Sequence, residues 1–154
     1  MRAAVVALVS LTVVGLAGCG GGGGPSHRDF VQDAGSICQE ANQRFARVEI
    51  VSPTATRAEA ALGDIVEIGA IALRDLRRVK PPKGDASEAA AWLAALEQAL
   101  DEVDYARTLL RDGDVVRAVA AIARADVLTR RARKLARATG VARVCQVPEL
   151  LPGA

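Results

Sequence analysis

The chain has 154 residues, of which 51% are hydrophobic but only 3% are aromatic, and its formal net charge is +2. This length allows one domain, and so small a charge does not by itself indicate a nucleic-acid-binding protein. The single histidine excludes most of the familiar catalytic and transition-metal sites, because these rely on positioned imidazole groups.

The first 18 residues have the pattern of a sorting signal, with one positive charge followed by an apolar stretch too short for a membrane-spanning helix of about 20 residues. The segment LAGC at residues 16–19 resembles the lipobox of bacterial lipoproteins, a family in which the cysteine is acylated and becomes the new N-terminus. An ordinary secretory signal with a free cysteine and an uncleaved anchor are the alternatives. The resemblance implies that Leu16, Ala17 and Gly18 are recognition residues and that Cys19 is lipidated.

A glycine-rich stretch follows this signal. Five glycines, Pro25 and Ser26 predict a flexible tether over residues 19–26, which would let a folded domain stand off a membrane and reorient. A phosphate-binding loop is the alternative. We do not favour it, because no strand pattern precedes the glycines and no Gly-Lys-Ser/Thr follows them.

Two helices are predicted next from apolar residues spaced three or four apart. The first covers residues 26–48. The second covers residues 56–79 and begins with a capping box at Thr56–Glu59. Gly63 and Gly69 would each cost about 1 kcal/mol relative to Ala in a helix, which the close approach of a neighbouring helix would explain. The apolar faces are Phe30, Ala34, Ile37, Ala41, Phe45 and Val48 in the first helix, and Leu62, Ile65, Ile68, Ala72, Leu76 and Val79 in the second.

Two further helices are predicted after the Lys-Pro-Pro-Lys-Gly break. Asp85 or Ser87 can cap the third helix, and Gly140 lies where the C-terminal cap of the fourth helix (residues 115–139) is expected. A short turn at residues 111–114 predicts an antiparallel hairpin. The apolar faces are Ala89, Trp92, Leu96, Leu100, Val103, Ala106 and Leu110 in the third helix, and Val115, Val119, Ile122, Ala125, Leu128, Ala132 and Leu135 in the fourth.

These elements predict an all-α protein, an antiparallel four-helix bundle of up-down-up-down topology. The bundle is expected to span residues 27–147, after the signal peptide (1–18) and the lipidated linker (19–26) and before a flexible tail (148–154). In this topology the first helix begins at the end of the bundle where the fourth helix finishes.

Two cysteines, Cys38 and Cys145, remain if Cys19 is acylated. Export would place them in an oxidising compartment, where they predict a disulfide. In the chain-entropy model, closing a loop of about 107 residues contributes about 4–5 kcal/mol. A redox pair or a metal site is the alternative, although no Cys-x-x-Cys pattern and no neighbouring histidine supports either.

Three stretches, DFVQDAGSICQEANQRF, LRDLRRVKPP and ARATGVARVC, resemble a group of small, uncharacterised lipoproteins of high-GC bacteria. The likeness consists of an Ile-Cys-x-Glu-Ala-Asn stretch in the first helix, Pro-Pro after the second helix and a late Gly-x-x-x-x-Cys. The resemblance implies a disulfide-closed helical bundle on the outer face of the membrane. It implies no activity and no catalytic residues.

Charged residues are concentrated on the last two helices. Glu97, Asp101, Glu102 and Asp104 on the third helix offer oxygen ligands of the kind that calcium takes, but pairing with the basic fourth helix is the simpler interpretation, and we predict no metal and no cofactor. Nucleic acid is disfavoured because no aromatic residues interleave with the basic ones. The candidate interaction surface, for the bilayer, an envelope protein or an anionic polymer, consists of Arg130, Arg131, Lys134 and Arg137.

Trp92 and Tyr105 fall on or near the apolar face of the third helix, where core packing is expected and a small ligand groove is the alternative. His27 is expected to be a solvated residue. Together these features predict a non-enzymatic, lipid-anchored protein on the extracytoplasmic face of the cell membrane, acting as a binding or accessory module. The alternative function is a small-molecule or ion carrier with a pocket inside the bundle.

Overall fold

The computed structural model describes residues 24–49 and 54–146, which form four antiparallel helices packed consecutively against one another. This confirms the predicted all-α four-helix bundle, and the described residues include no strand. Short 3₁₀ turns at Lys83–Asp85 and Val141–Arg143 precede the third helix and follow the fourth. The helices are α1 (His27–Phe45), α2 (Ala55–Leu76), α3 (Ala86–Arg111) and α4 (Val115–Ala138).

The first two helices begin at side chains that cap free backbone N–H groups. The hydroxyl of Ser26 accepts from the backbone N–H of Asp29, whose carboxylate accepts from the N–H of Ser26, so the predicted start of α1 is confirmed. The start predicted for α2 is wrong. Thr54, not Thr56, is the N-cap, and its hydroxyl accepts from the backbone N–H of Arg57 at 3.3 Å. Either threonine can cap through its hydroxyl, although only Thr56 has a glutamate three residues on, and the earlier start adds two residues to the helix, about half a turn.

Of the other predicted caps, that of α3 is not formed and that of α4 is confirmed. Asp85 occupies the N-cap position of α3, but its carboxylate binds Nδ1 of His27 at 2.7 Å and makes no capping hydrogen bond. The hydroxyl of Ser87 binds the side chain of Glu88, so Ser87 is not the cap either. Gly140 has φ of 74°, the left-handed conformation that favours glycine, which confirms it as the terminator of α4.

The buried side chains form two clusters, one toward each end of the bundle. We call the end where α1 begins and α4 finishes the tether end, and the end where the turn at residues 112–114 joins α3 to α4 the turn end. The tether-end cluster comprises Phe30, Ala34, Cys38, Leu76, Ala89, Trp92, Ala95, Ala132, Ala136, Val141 and Cys145. The turn-end cluster comprises Leu62, Ile65, Val103, Ala106, Leu109, Ala118, Ala121 and Ala125.

The predicted apolar face of α4 is wrong in its first half. Val115 is 48% exposed and Val119 is 57% exposed, whereas Ala118 and Ala121 are buried. Because α3 presents its own buried alanines, the two helices can pack closely through small side chains, and α4 is rotated so that alanine rather than valine faces its neighbour.

The buried face of α3 is also shifted. Ala95, Ala99 and Leu109 are buried, while the predicted core positions 96, 100 and 110 are only partly buried. The predicted close approach at Gly69 is confirmed, because a Cβ there would lie 2.6 Å from a Cδ of Leu100. The narrow α2 surface at Gly69 therefore brings α3 near, and Leu96, Leu100 and Leu110 lie at the edge of the core.

Candidate functional site

The residues proposed to carry the anchor lie outside the described residues. These are the lipobox Leu16, Ala17 and Gly18 and the candidate lipidation site Cys19, and residues 148–154 lie outside as well. None of the helices in the described ranges is sufficiently long and apolar to span a membrane. Lipidation and the signal peptide stay predictions.

Cys38 and Cys145 form a disulfide, with their Cα atoms 4.9 Å apart. Cys38 lies on the buried side of α1, and Cys145 reaches it because the 3₁₀ turn after Gly140 folds the chain back over the bundle. Val141 in that turn is fully buried. The pair therefore ties α1 to the end of α4 across the tether-end cluster, and it is a buried structural link.

The acidic face of α3 is divided among several basic partners. Glu102 accepts two hydrogen bonds from Arg124 on α4, at 3.0 and 2.8 Å, and this contact raises the pKa of Arg124. Glu97 instead pairs with Arg77, just after α2, while Asp104 lies 3.8 Å from Arg107 on its own helix. The expected ion pair between α3 and α4 is thus present at Glu102, whereas Glu97 and Asp104 have basic partners elsewhere. In the two described ranges, no group of three or more His, Cys, Asp or Glu side chains could hold a metal ion.

The predicted interaction surface lies on the exposed side of α4 near its C-terminus. Arg130 binds the carboxylate of Asp126, which is only 5% exposed. Arg131, Lys134 and Arg137 are exposed to solvent. Three of the four residues are therefore accessible to solvent and Arg130 is tied to a buried carboxylate, and their role as an interaction surface stays a prediction.

This surface belongs to a larger charge asymmetry between the two ends of the bundle. If each helix is divided at its midpoint, the tether-end half of the described chain carries twelve Lys and Arg and seven Asp and Glu, a net charge of +5. The turn-end half carries seven basic and ten acidic residues, a net charge of −3. The sequence of α4 alone does not show this asymmetry, because the basic loop between α2 and α3 also lies at the tether end.

An ion-pair cluster at the turn end was missed by sequence analysis. Glu59 on α2 accepts from Nε of Arg107 at 2.8 Å and from Arg111 at 3.1 Å, both on α3. These hydrogen bonds, that of Arg107 foremost, hold the pKa of Glu59 below its ordinary value. The absent side chain at Gly63 leaves room for the Arg107 guanidinium, since a Cβ there would lie 3.3 Å from Nε.

A cavity of about 110 Å³ lies between α1, α2 and α3, and the buried Thr129 of α4 also forms part of its wall. Its wall includes Ile65 and Gly69 on α2 and Trp92 and Leu100 on α3, and the disulfide closes one side. Asn42 and Gln146 lie where the wall approaches solvent, because Asn42 is half-buried and Gln146 is exposed. Its mainly apolar wall suits the cavity to a small ligand.

The two candidate groove residues do not come together. Trp92 is 1% exposed and forms part of the cavity wall, whereas Tyr105 is 40% exposed and its hydroxyl accepts from Arg117 at 2.6 Å. The expected core packing is confirmed for Trp92 and wrong for Tyr105, because α3 turns Tyr105 toward solvent beside α4. His27, expected to be solvated, keeps a 56% exposed side chain but is bound to Asp85.

Comparison of the chain with protein-family models, with curated proteins and with solved structures gave no match.

Proposed function

We propose that this protein is a lipid-anchored, non-enzymatic binding or accessory module on the extracytoplasmic face of the cell membrane. The proposal begins from the lipobox-like segment LAGC and the glycine tether. It adds that the basic tether end of the bundle lies against the anionic membrane surface.

The observation that carries the proposal is the position of the tether relative to the charge. The tether enters α1 at Ser26, at the end of the bundle with a net charge of +5. Basic side chains close to an anionic bilayer each contribute about 1 kcal/mol, and the effect falls off within a Debye length of about 8 Å at physiological salt. An anchor at this end would bring the basic half of the bundle, with the exposed Arg131, Lys134 and Arg137, toward the membrane, whereas an anchor at the turn end would bring the acidic half toward it.

Intact-mass spectrometry of the protein from its native host is the first test. The expected mass is that of a chain beginning at Cys19 with acyl groups, with Cys38 and Cys145 protected from alkylation until reduction. The Cys19→Ala variant should lose the acyl mass and leave the membrane fraction. An unacylated chain cut elsewhere would overturn the anchor, and a reaction whose turnover depends on one buried polar residue would overturn the non-enzymatic assignment.

A vesicle-binding measurement tests the orientation separately. The Cys19→Ala chain should bind vesicles rich in phosphatidylglycerol better than phosphatidylcholine vesicles, and added salt should weaken this binding. Changing Arg131, Lys134 and Arg137 to Gln should remove the preference. The matched control changes three basic residues of the turn-end half, Arg44, Arg47 and Arg57, to Gln and should retain the preference. Equal losses in both triple variants would contradict the proposed orientation.

A carrier of a small ligand is the second candidate function. The specific observation that favours it is the cavity whose wall includes Trp92. It is compatible with the membrane anchor and concerns a different part of the molecule.

A further inference from the structure

We propose that the cavity between α1, α2 and α3 binds a small, uncharged and mainly apolar molecule carrying one hydrogen-bond-acceptor oxygen, which the Nε1–H of Trp92 contacts. This inference rests on the carrier function proposed above and specifies its ligand class. It does not depend on the lipid anchor.

The size of the ligand follows from the volume of the cavity. An apolar protein cavity of about 150 Å³ is large enough to bind benzene. The cavity here, at about 110 Å³, is therefore suited to a ring or short chain of about five or six non-hydrogen atoms. A longer molecule would extend out past the amides of Asn42 and Gln146.

The polarity of the ligand follows from the wall. The residues that line the cavity include no Asp, Glu, Lys, Arg or His, and most of them are aliphatic, such as Ile65, Leu73 and Val103. An ion placed there would lose its hydration without gaining a charged partner, which is strongly unfavourable. The wall therefore selects an uncharged, mainly apolar molecule.

The requirement for an acceptor comes from Trp92. Its Nε1 is buried and has no hydrogen-bond partner among the described residues, and the indole forms part of the cavity wall. An indole N–H can only donate, and leaving a buried donor unsatisfied costs about 1–3 kcal/mol. A phenylalanine would supply an apolar ring without that cost. A ligand with an oxygen acceptor would satisfy the donor on binding.

Small side chains on opposite sides explain why the space exists. Gly69 and Ala72 on α2 and Ala41 on α1 line the cavity together with Ala99 on α3. At Gly69 the space for a Cβ is already occupied by the side chain of Leu100. The short side chains of Ala41, Ala72 and Ala99 thus leave space unfilled between the helices.

The test uses two probes of equal size, cyclopentanone and methylenecyclopentane, titrated into the full, oxidised chain. The protein has one tryptophan, so its indole N–H gives one resonance in an ¹H–¹⁵N spectrum. Cyclopentanone should shift this resonance in a saturable manner. Isotope-labelled methyl groups of Ile65 and Leu100 report binding of both probes, including in variants that lack the indole.

The decisive variant is Trp92→Phe, which removes the donor and retains an aromatic ring. We expect it to weaken cyclopentanone binding about five- to tenfold, in keeping with the loss of one hydrogen bond, and to change methylenecyclopentane binding less than twofold. Ala72→Leu, which fills part of the cavity, should weaken both probes. Tyr105→Phe lies outside the cavity and should change neither. Circular dichroism and thermal unfolding establish that each variant is folded.

Three outcomes would overturn the inference. One is that neither probe binds saturably to the folded wild-type chain. Another is that Trp92→Phe weakens both probes equally, which would remove the hydrogen-bond assignment. A third is that the indole shift persists in folded Ala72→Leu, which would place the probe elsewhere. Any of these would leave the anchor intact, because the mass measurement tests acylation of Cys19 independently of ligand binding.

Discussion

The tether end and the turn end of this bundle are built differently, although the same four helices pass through both. The tether-end cluster draws fully buried residues from all four helices, with the 3₁₀ turn and the disulfide closing it. The turn-end cluster draws its fully buried residues from α2, α3 and α4, and α1 contributes only the partly buried Phe45 to it. At the tether end the described residues thus form a four-helix core that the disulfide closes. At the turn end they form a three-helix core, and α1 packs against its surface.

The electrostatic difference follows the same division. The tether-end half has a net charge of +5 and the turn-end half a net charge of −3. A net charge of +2 for the whole chain conceals both values. The net charge of the whole chain is therefore a weak reason to exclude a charged partner. The electrostatic field at a surface depends on where the folded chain places its charged residues.

Removal of the disulfide should produce the largest loss of stability. The chain-entropy model gives about 4–5 kcal/mol for a loop of this length, so reduction or Cys38→Ala with Cys145→Ala should lower the denaturation midpoint strongly. Urea unfolding with and without reductant measures the effect. Cys19→Ala is the control and should unfold like the wild type. A loss below 1 kcal/mol would show that the tether-end core holds α1 without the bond.

The two phenylalanines, both on α1, provide a direct comparison of the ends. Phe30 is 3% exposed in the tether-end cluster, so Phe30→Ala should cost about 3–5 kcal/mol. Phe45 is half-buried at the turn end, so Phe45→Ala should lower the free energy of unfolding by only about 1–2 kcal/mol. Chemical unfolding of both variants with the disulfide intact gives the two values. Equal costs would refute the proposed difference in packing.

The helix glycines should respond unequally to alanine. Alanine gains about 1 kcal/mol of helix propensity at either site. At Gly69 that gain is opposed by a Cβ only 2.6 Å from Leu100, so Gly69→Ala should be destabilising by about 1 kcal/mol. At Gly63 the nearest group is the end of the flexible Arg107 side chain, and Gly63→Ala should be neutral or mildly stabilising. Thermal unfolding distinguishes the two variants. Stabilisation by Gly69→Ala would show that the Leu100 side chain moves to accommodate the added Cβ.

Changing Glu59 should produce the smallest loss of stability, and this loss should disappear in acid. Its pKa is lower in the folded chain, so its contribution is present above the unfolded-state value and is lost as pH falls through the folded value. The difference in melting temperature between wild type and Glu59→Gln should therefore be present at pH 7 and shrink as pH falls below 4.5. The exposed Glu40→Gln is the control. A difference that grows in acid would contradict the assigned ion pair.

Helix positions were predictable where local signals are strong. The Ser26–Asp29 capping box, the left-handed Gly140 and the short turn before α4 act through nearby backbone groups, and each is present in the structure. The start of α2 was missed because the capping-box pattern at Thr56–Glu59 favours the later of two threonines that lie two residues apart. Only the folded geometry distinguishes them.

The buried faces were less predictable than the helices. On α4 the valines at 115 and 119 have the spacing of a core stripe, yet Ala118 and Ala121 are buried. Hydrophobic periodicity shows that a helix has an apolar side, but α4 is rich in alanine around much of its circumference, so several rotations satisfy the pattern. Close packing against the alanines of α3 selects one of them.

The sequence was sufficient to predict the four helices and their order, because these depend on local capping, periodicity and chain breaks. It also predicted the Cys38–Cys145 disulfide through the cysteine count and the expected compartment. Tertiary structure alone decided the rotation of α3 and α4, the exposure of Tyr105, the gathering of charge at each end and the cavity beside Trp92. These features depend on which side chains meet across helices distant in sequence, and shape and close packing govern that choice.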